Sequence, residues 1–166
     1  MTWLQTASGQ AFRPLSPDPA TIVIEDIAHA LAFLCRFNGH CRAFYSVAEH
    51  SVRVSRLVEP AFAAWGLMHD AAEAYVSDLP RPVKNELPAF GRLEDGLLDV
   101  ITQRFGLAGP MPEAVRVADD RLLVTEARDL MEPPPESWGL NAEPLTEIIE
   151  PWTPAEAKKR YLERFA

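Results

Sequence analysis

Fifteen prolines in 166 residues decide where regular structure can lie in this chain. A proline inside a helix costs about 3 kcal/mol, because it lacks the N–H donor and its ring clashes with the preceding turn. Helices are therefore confined to the windows 20–59, 61–79, 89–109, 113–132 and 155–166. None of these shows the sustained alternation of a half-buried strand. Ser46 with Glu49, and Thr153 with Glu156, have the form of capping boxes, while Pro60, Pro112 and Pro154 suit first helical positions. Ile27, Leu31, Leu34 and Cys35 fall at helical spacing, and Asn38-Gly39 supplies a stop. The pattern predicts helices over 25–37, 46–58, 61–76, 89–105, 112–131 and 154–164. The expected fold class is all-α: one domain over 1–166, with a motif-bearing core at 25–131 and a proline-rich wrap at 132–153 before the terminal helix.

Composition narrows the function classes. The chain is 48% apolar and 24% charged, which is ordinary for a globular protein and excludes a disordered or collagen-like one. Two cysteines, Cys35 and Cys41, cannot form a disulfide framework, so a reducing, cytoplasmic setting is expected. No run approaches the roughly 20 apolar residues of a membrane span. The formal charge of −8 leaves no basic stripe for a long nucleic acid, although two or three local cations could hold a small phosphate.

His69-Asp70 is the strongest local signal, inside a predicted helix whose Leu67, Ala71 and Ala74 lie on a buried face. Alone, such a dipeptide is usually core filling beside an exposed carboxylate. Here it is joined by His50 on the preceding helix and Asp119 on a later one. Asp119 sits in the apolar stripe of Val115, Leu122 and Leu123, whereas Asp120 leads away beside Arg116. Two imidazoles and two carboxylates suit a hard or borderline divalent ion held between facing helices.

Together the segments Ser-Val-Ala-Glu-His50, His69-Asp70-Ala-Ala-Glu73, Ser-Asp78-Leu-Pro-Arg-Pro-Val-Lys84 and Ala-Asp119 resemble the HD-domain phosphohydrolases. The nearest branch is the 5′-deoxynucleotidase-like group of bacteria and phages, matched in motif order and spacing from about residue 25 to 131. The resemblance implies one divalent metal (Mn, Co, Mg, Zn, Fe or Ni) on His50, His69, Asp70 and Asp119. It implies a proton-handling role for Glu73, while Asp78 would touch the substrate sugar and support Glu73. Arg36-Phe37 matches an arginine–aromatic pair that meets phosphate and nucleoside, with Phe37 standing where a tryptophan is usual. Gly39-His40-Cys41-Arg42 is an insertion beside it. His40, Lys84 and Arg81 are further candidate substrate contacts. The implied activity is removal of phosphate from a small nucleotide, a 2′-deoxynucleoside 5′-monophosphate first among them, by a dimer or larger homo-oligomer. Two alternatives are a deoxynucleoside triphosphate triphosphohydrolase and a non-catalytic nucleotide-sensing domain.

Overall fold

The computed structural model describes residues 2–107 and 109–166, so Met1 of the expected 1–166 domain and Ala108 lie outside the described residues. The protein is all-α apart from a two-stranded antiparallel hairpin, β1 (Leu4–Gln5) and β2 (Ala11–Phe12). Its helices are α1 (Ile24–Phe33), α2 (Val47–Leu57), α3 (Ala63–Met68), α4 (Glu73–Val76), α5 (Arg81–Glu86), α6 (Pro88–Arg104), α7 (Glu113–Leu130) and α8 (Pro154–Phe165). Among the described residues, no helix is long and apolar enough to cross a membrane.

The centre of the architecture is α2. It packs against α1, α3, α7 and α8, and its residues 47–52, 54 and 55 are buried. Val52 faces one core with Ile27, Leu31, Leu67, Leu97, Ile101 and Tyr161, while Val54 faces a second with Tyr45, Trp65, Val115, Leu122 and Ile149. Charged groups on a helix buried on both sides need partners, because an unpaired buried polar group costs about 1–3 kcal/mol, a cost that its Ser51 hydroxyl bears among the described residues. That requirement makes its buried Glu49 and His50 informative.

Four expectations need correction. One is that helices keep to the proline-free windows: α5 lies outside them, with Pro82 accommodated in its first turn, where the missing N–H is not needed. The first helix ends at Phe33 rather than 37, and Arg36–Gly39 forms a 3₁₀ turn in which Phe37 and Asn38 take left-handed φ of 54° and 52°. The continuous helix expected over 61–76 is instead a 3₁₀ turn at Pro60–Phe62, then α3, then a tightened turn, then α4. In the tightened turn, i→i+3 bonds such as Ala71 N–H to Met68 O (3.0 Å) and Glu73 N–H to Asp70 O (3.0 Å) replace the usual i→i+4 ladder. Both capping boxes are half formed: Ser46 and Thr153 accept from Glu49 N–H and Glu156 N–H. The glutamates turn elsewhere, Glu49 to Arg53 and the Trp152 N–H, Glu156 to Arg160, because a guanidinium is a stronger partner than one backbone donor.

Candidate metal and phosphate centre

Three elements bring four candidate ligand side chains near one another. His50 projects from the buried middle of α2, His69 and Asp70 from the tightened turn after α3, and Asp119 from α7. One ligating atom each of His50, His69 and Asp119 lie within 4.8 Å of one another. His50 Nε2 stands 3.3 Å from His69 Nε2 and 3.1 Å from Asp119 Oδ1. Asp70 Oδ2 closes the set, 3.2 Å from His69 Nε2 and 3.7 Å from His50 Nε2.

The outer nitrogens determine what those inner atoms can do. His69 Nδ1 lies 2.8 Å from the Gly66 carbonyl, which can only accept, so that nitrogen carries a proton. His50 Nδ1 lies 2.6 Å from Glu126 Oε1 and donates to it in the same way. In the neutral imidazoles both Nε2 atoms are therefore bare lone pairs, aimed at each other and at two carboxylates. Four electron-rich groups facing inward repel unless a cation or protons sit among them. With His–backbone and His–carboxylate partners holding the far side, the donor set fits a divalent metal.

The surrounding carboxylates favour positive charge on both imidazoles. Burial and Arg36 push His50 down, but Glu126 and Asp119 outweigh them and raise it to about 9. His69 is also raised: burial opposes its charge, and Asp70 overrides burial. Asp70 and Asp119 fall below the ordinary carboxylate range despite burial, held there by the two imidazoles. Glu73 behaves oppositely. Burial first, then the Asp70 and Asp78 carboxylates, push it well above the usual range, and its Oε2 finds no hydrogen-bond partner among the described residues. A carboxyl raised by burial beside such a cluster is suited to proton exchange. Burial also raises Asp78, one residue past Ser77.

The remaining expected residues divide. Arg36 reaches the cluster: its Nη1 is 3.7 Å from Asp70 Oδ2, while Nε and Nη2 each lie 3.1 Å from Glu126 Oε2. Phe37 is half-buried beside the Arg36 guanidinium, with its ring 6.1 Å from that of Trp138. Lys84 acts on Glu73 and Asp78 electrostatically but bonds to Glu94 at 2.7 Å. His40 and Arg81 are exposed, and no hydrogen bond or ion pair links either to the cluster among the described residues. Asp120 also stands outside it, and Arg116 pairs with Glu113 rather than with Asp120.

Two residues absent from the sequence reading stand out. Glu126 lies seven residues, two helical turns, beyond Asp119 and so on the same face. It follows Leu122 in the buried stripe of α7, and a glutamate in that stripe was a readable signal. Trp138 comes from the segment before α8, where no periodicity points to its contact with Phe37.

No family model matches the chain. It is 42% identical over 168 residues to "Uncharacterized protein YfdR" of Escherichia coli (strain K12), covering 99% of this chain and 94% of that protein. It is also 38% identical over 126 residues to "Uncharacterized protein RCAP_rcc00048" of Rhodobacter capsulatus, covering 70% of this chain and 64% of that protein.

Proposed function

This chain belongs to the family of Escherichia coli YfdR, and we propose that it is a metal-dependent phosphohydrolase of the HD-domain type that removes phosphate from a 2′-deoxynucleoside 5′-monophosphate. The observation that carries the reading is the pair of imidazole Nε2 atoms 3.3 Å apart, flanked by Asp70 and Asp119. His50, His69, Asp70 and Asp119 would hold the ion, and mixed imidazole and carboxylate donors suit Mn²⁺, Co²⁺ or another divalent first-row metal. A divalent cation held there supplies Lewis acidity toward a phosphoryl oxygen and toward water.

The chain's own groups would do the rest. Glu73 would transfer a proton to or from the reacting centre through a buried carboxyl that burial pushes up and whose Oε2 has no partner among the described residues. Asp78, also raised by burial, would favour the protonated form of Glu73 by adding negative charge near it. Arg36 and Lys84 are cationic groups that act on both Glu73 and Asp78. Two cations in a chain of net charge −8 match one phosphate better than three. Phe37 and Trp138 offer apolar surface next to Arg36 for the sugar and base.

Product analysis tests the reading. Purified protein with Mn²⁺, Co²⁺ or Mg²⁺ is given deoxy- and ribonucleoside mono- and triphosphates, and released phosphate is read against released triphosphate. Inorganic phosphate from deoxynucleoside monophosphates is expected. Triphosphate release would make the protein a triphosphohydrolase, and nucleotide binding without turnover would make it a sensor. In parallel, Asp119→Ala should lose bound metal and activity, while Asp120→Ala keeps both. Equal metal content in the two variants overturns the ligand assignment.

A further inference from the structure

Glu126 joins two parts of the site that would otherwise be independent. Its carboxylate is fully buried, and its two oxygens face different partners. Oε1 takes the Nδ1 proton of His50 at 2.6 Å, and Oε2 takes the Nε and Nη2 protons of Arg36 at 3.1 Å each. The Arg36 side chain is only 11% exposed, and of its donor groups Nη1 is the one directed at Asp70.

We propose that Glu126 is a positioning residue that couples metal uptake to phosphate recognition, by holding His50 in the metal-binding tautomer and Arg36 with one donor edge toward the substrate. This deepens the function proposed above and rests on it. The coupling follows from the shape of the carboxylate. Its oxygens lie in one plane on one carbon, so rotating the group to improve one contact degrades the other. The Nε edge of Arg36, which would make a two-pronged grip on phosphate, is already engaged. A phosphate would therefore meet Arg36 at the Nη1 side, next to Asp70. Conversely, whatever draws Arg36 toward an anion pulls on the same carboxylate that selects the His50 tautomer.

The conservative variant discriminates between positioning and plain structure. In Glu126→Gln the amide offers one acceptor and one donor group. If its oxygen keeps Arg36, its NH₂ faces His50 Nδ1, which must then accept, and the His50 proton moves to Nε2, where it blocks the metal. If the amide turns, Arg36 loses its acceptor. Either way one partner is released. We expect Glu126→Gln to fold, with Mn²⁺ affinity, measured by equilibrium dialysis, weakened roughly ten- to a hundredfold, the usual size of such outer-contact losses. Inorganic phosphate should also bind the Mn²⁺-loaded variant more weakly than the loaded wild type, beyond what its lower metal content explains. A merely structural role would lower the melting temperature and leave both affinities unchanged at temperatures well below it, and that result overturns the proposal.

Should Glu126→Gln fail to fold, the wild type suffices. Nitrogen-15 spectra of Zn²⁺-loaded protein must show the His50 proton on Nδ1, and a proton on Nε2 overturns the proposal without any variant. Absence of metal uptake by the wild type overturns the function reading and this inference together. Normal uptake by the wild type, matched by Glu126→Gln, overturns this inference alone.

Discussion

Ser77 shows at the scale of one residue how the site strains its own backbone. Its φ of 73° and ψ of 159° fall in a region that is essentially the preserve of glycine, between Glu73 on α4 and Asp78. Such a conformation costs about 1–3 kcal/mol and persists only where the surroundings enforce it. The Ser77 N–H still closes α4 by donating to the Glu73 carbonyl at 2.9 Å, so the chain leaves the helix at a sharp angle and delivers Asp78 toward Glu73. Ser77→Gly removes the strain at the cost of about 0.4–1 kcal/mol of extra chain freedom in the unfolded state. We expect a net gain, seen as a melting temperature raised by about 2–4 °C, the shift that 1 kcal/mol gives at this size. An unchanged or lower melting temperature would mean that Ser77 is unstrained. Phe37 and Asn38, also left-handed, were legible in part: Asn38-Gly39 announced a stop, but the bonding of Arg36 N–H to Tyr45 O at 2.9 Å, which holds the chain outside the helix, depends on the loop between them folding back, which helical periodicity does not encode.

Between elements, the approach of α3 to α2 is what brings His69 to His50. Gly66 makes it possible: a Cβ there would stand 2.8 Å from Ser55 Cα, a backbone atom that cannot swing aside. The same residue's carbonyl anchors His69 Nδ1. Gly66→Ala should therefore cost about 1–3 kcal/mol by overpacking, and should weaken Mn²⁺ uptake by moving His69. Gly91→Ala in α6, where an added Cβ meets nothing within 4 Å, should instead gain up to about 1 kcal/mol of helix propensity and leave metal uptake alone. Denaturant unfolding and metal analysis of the two variants check both outcomes. The segment between α7 and α8 is pinned by a different device. Arg128 donates to the Leu145 and Glu147 carbonyls, and Asp129 accepts from Arg128 and from the Ile149 N–H at 2.9 Å. The bond from Arg128 first, and then that from Ile149, hold the Asp129 carboxyl below its ordinary range. A carboxyl depressed by folding contributes stability above its unfolded value, about 3.9, and that contribution disappears as pH falls through the folded value. Proteolytic nicking of 133–152 should thus accelerate as pH drops below about 4, and Asp129→Asn should show the faster rate at neutral pH. A nicking rate in Asp129→Asn equal to wild type at pH 7 would remove Asp129 as the anchor.

Across the whole molecule, the last helix ties back to the site. Tyr161 of α8 is fully buried, and its hydroxyl donates to the Leu67 carbonyl at 3.0 Å and lies 3.3 Å from Met68 Sδ, at the end of α3 just before His69. Tyr161→Phe should cost about 1 kcal/mol for the lost hydrogen bond. Tyr161→Ala should cost about 3–5 kcal/mol, because the ring leaves a cavity between α1, α2 and α3. Similar losses in the two, measured by urea unfolding, would assign the helix's hold to the hydroxyl rather than to packing. The all-α class, the windows of α1, α2, α6, α7 and α8, and the facing of Asp119 over Asp120 were all legible in the residues, because proline spacing and apolar periodicity act within a turn or two of helix. The hairpin at 4–12, the break of the third helix at His69 and the helix α5 after Pro80 were not, since each depends on what packs against it. The same division runs through the site. Local sequence marked His50, His69, Asp70 and Asp119 by type and spacing, and Glu73 through the family resemblance. Which nitrogen of His50 carries its proton, and where the Arg36 fork points, was decided by one carboxylate on α7, 76 and 90 residues away along the chain, because burial leaves a charged group no partner except the one that folding brings to it.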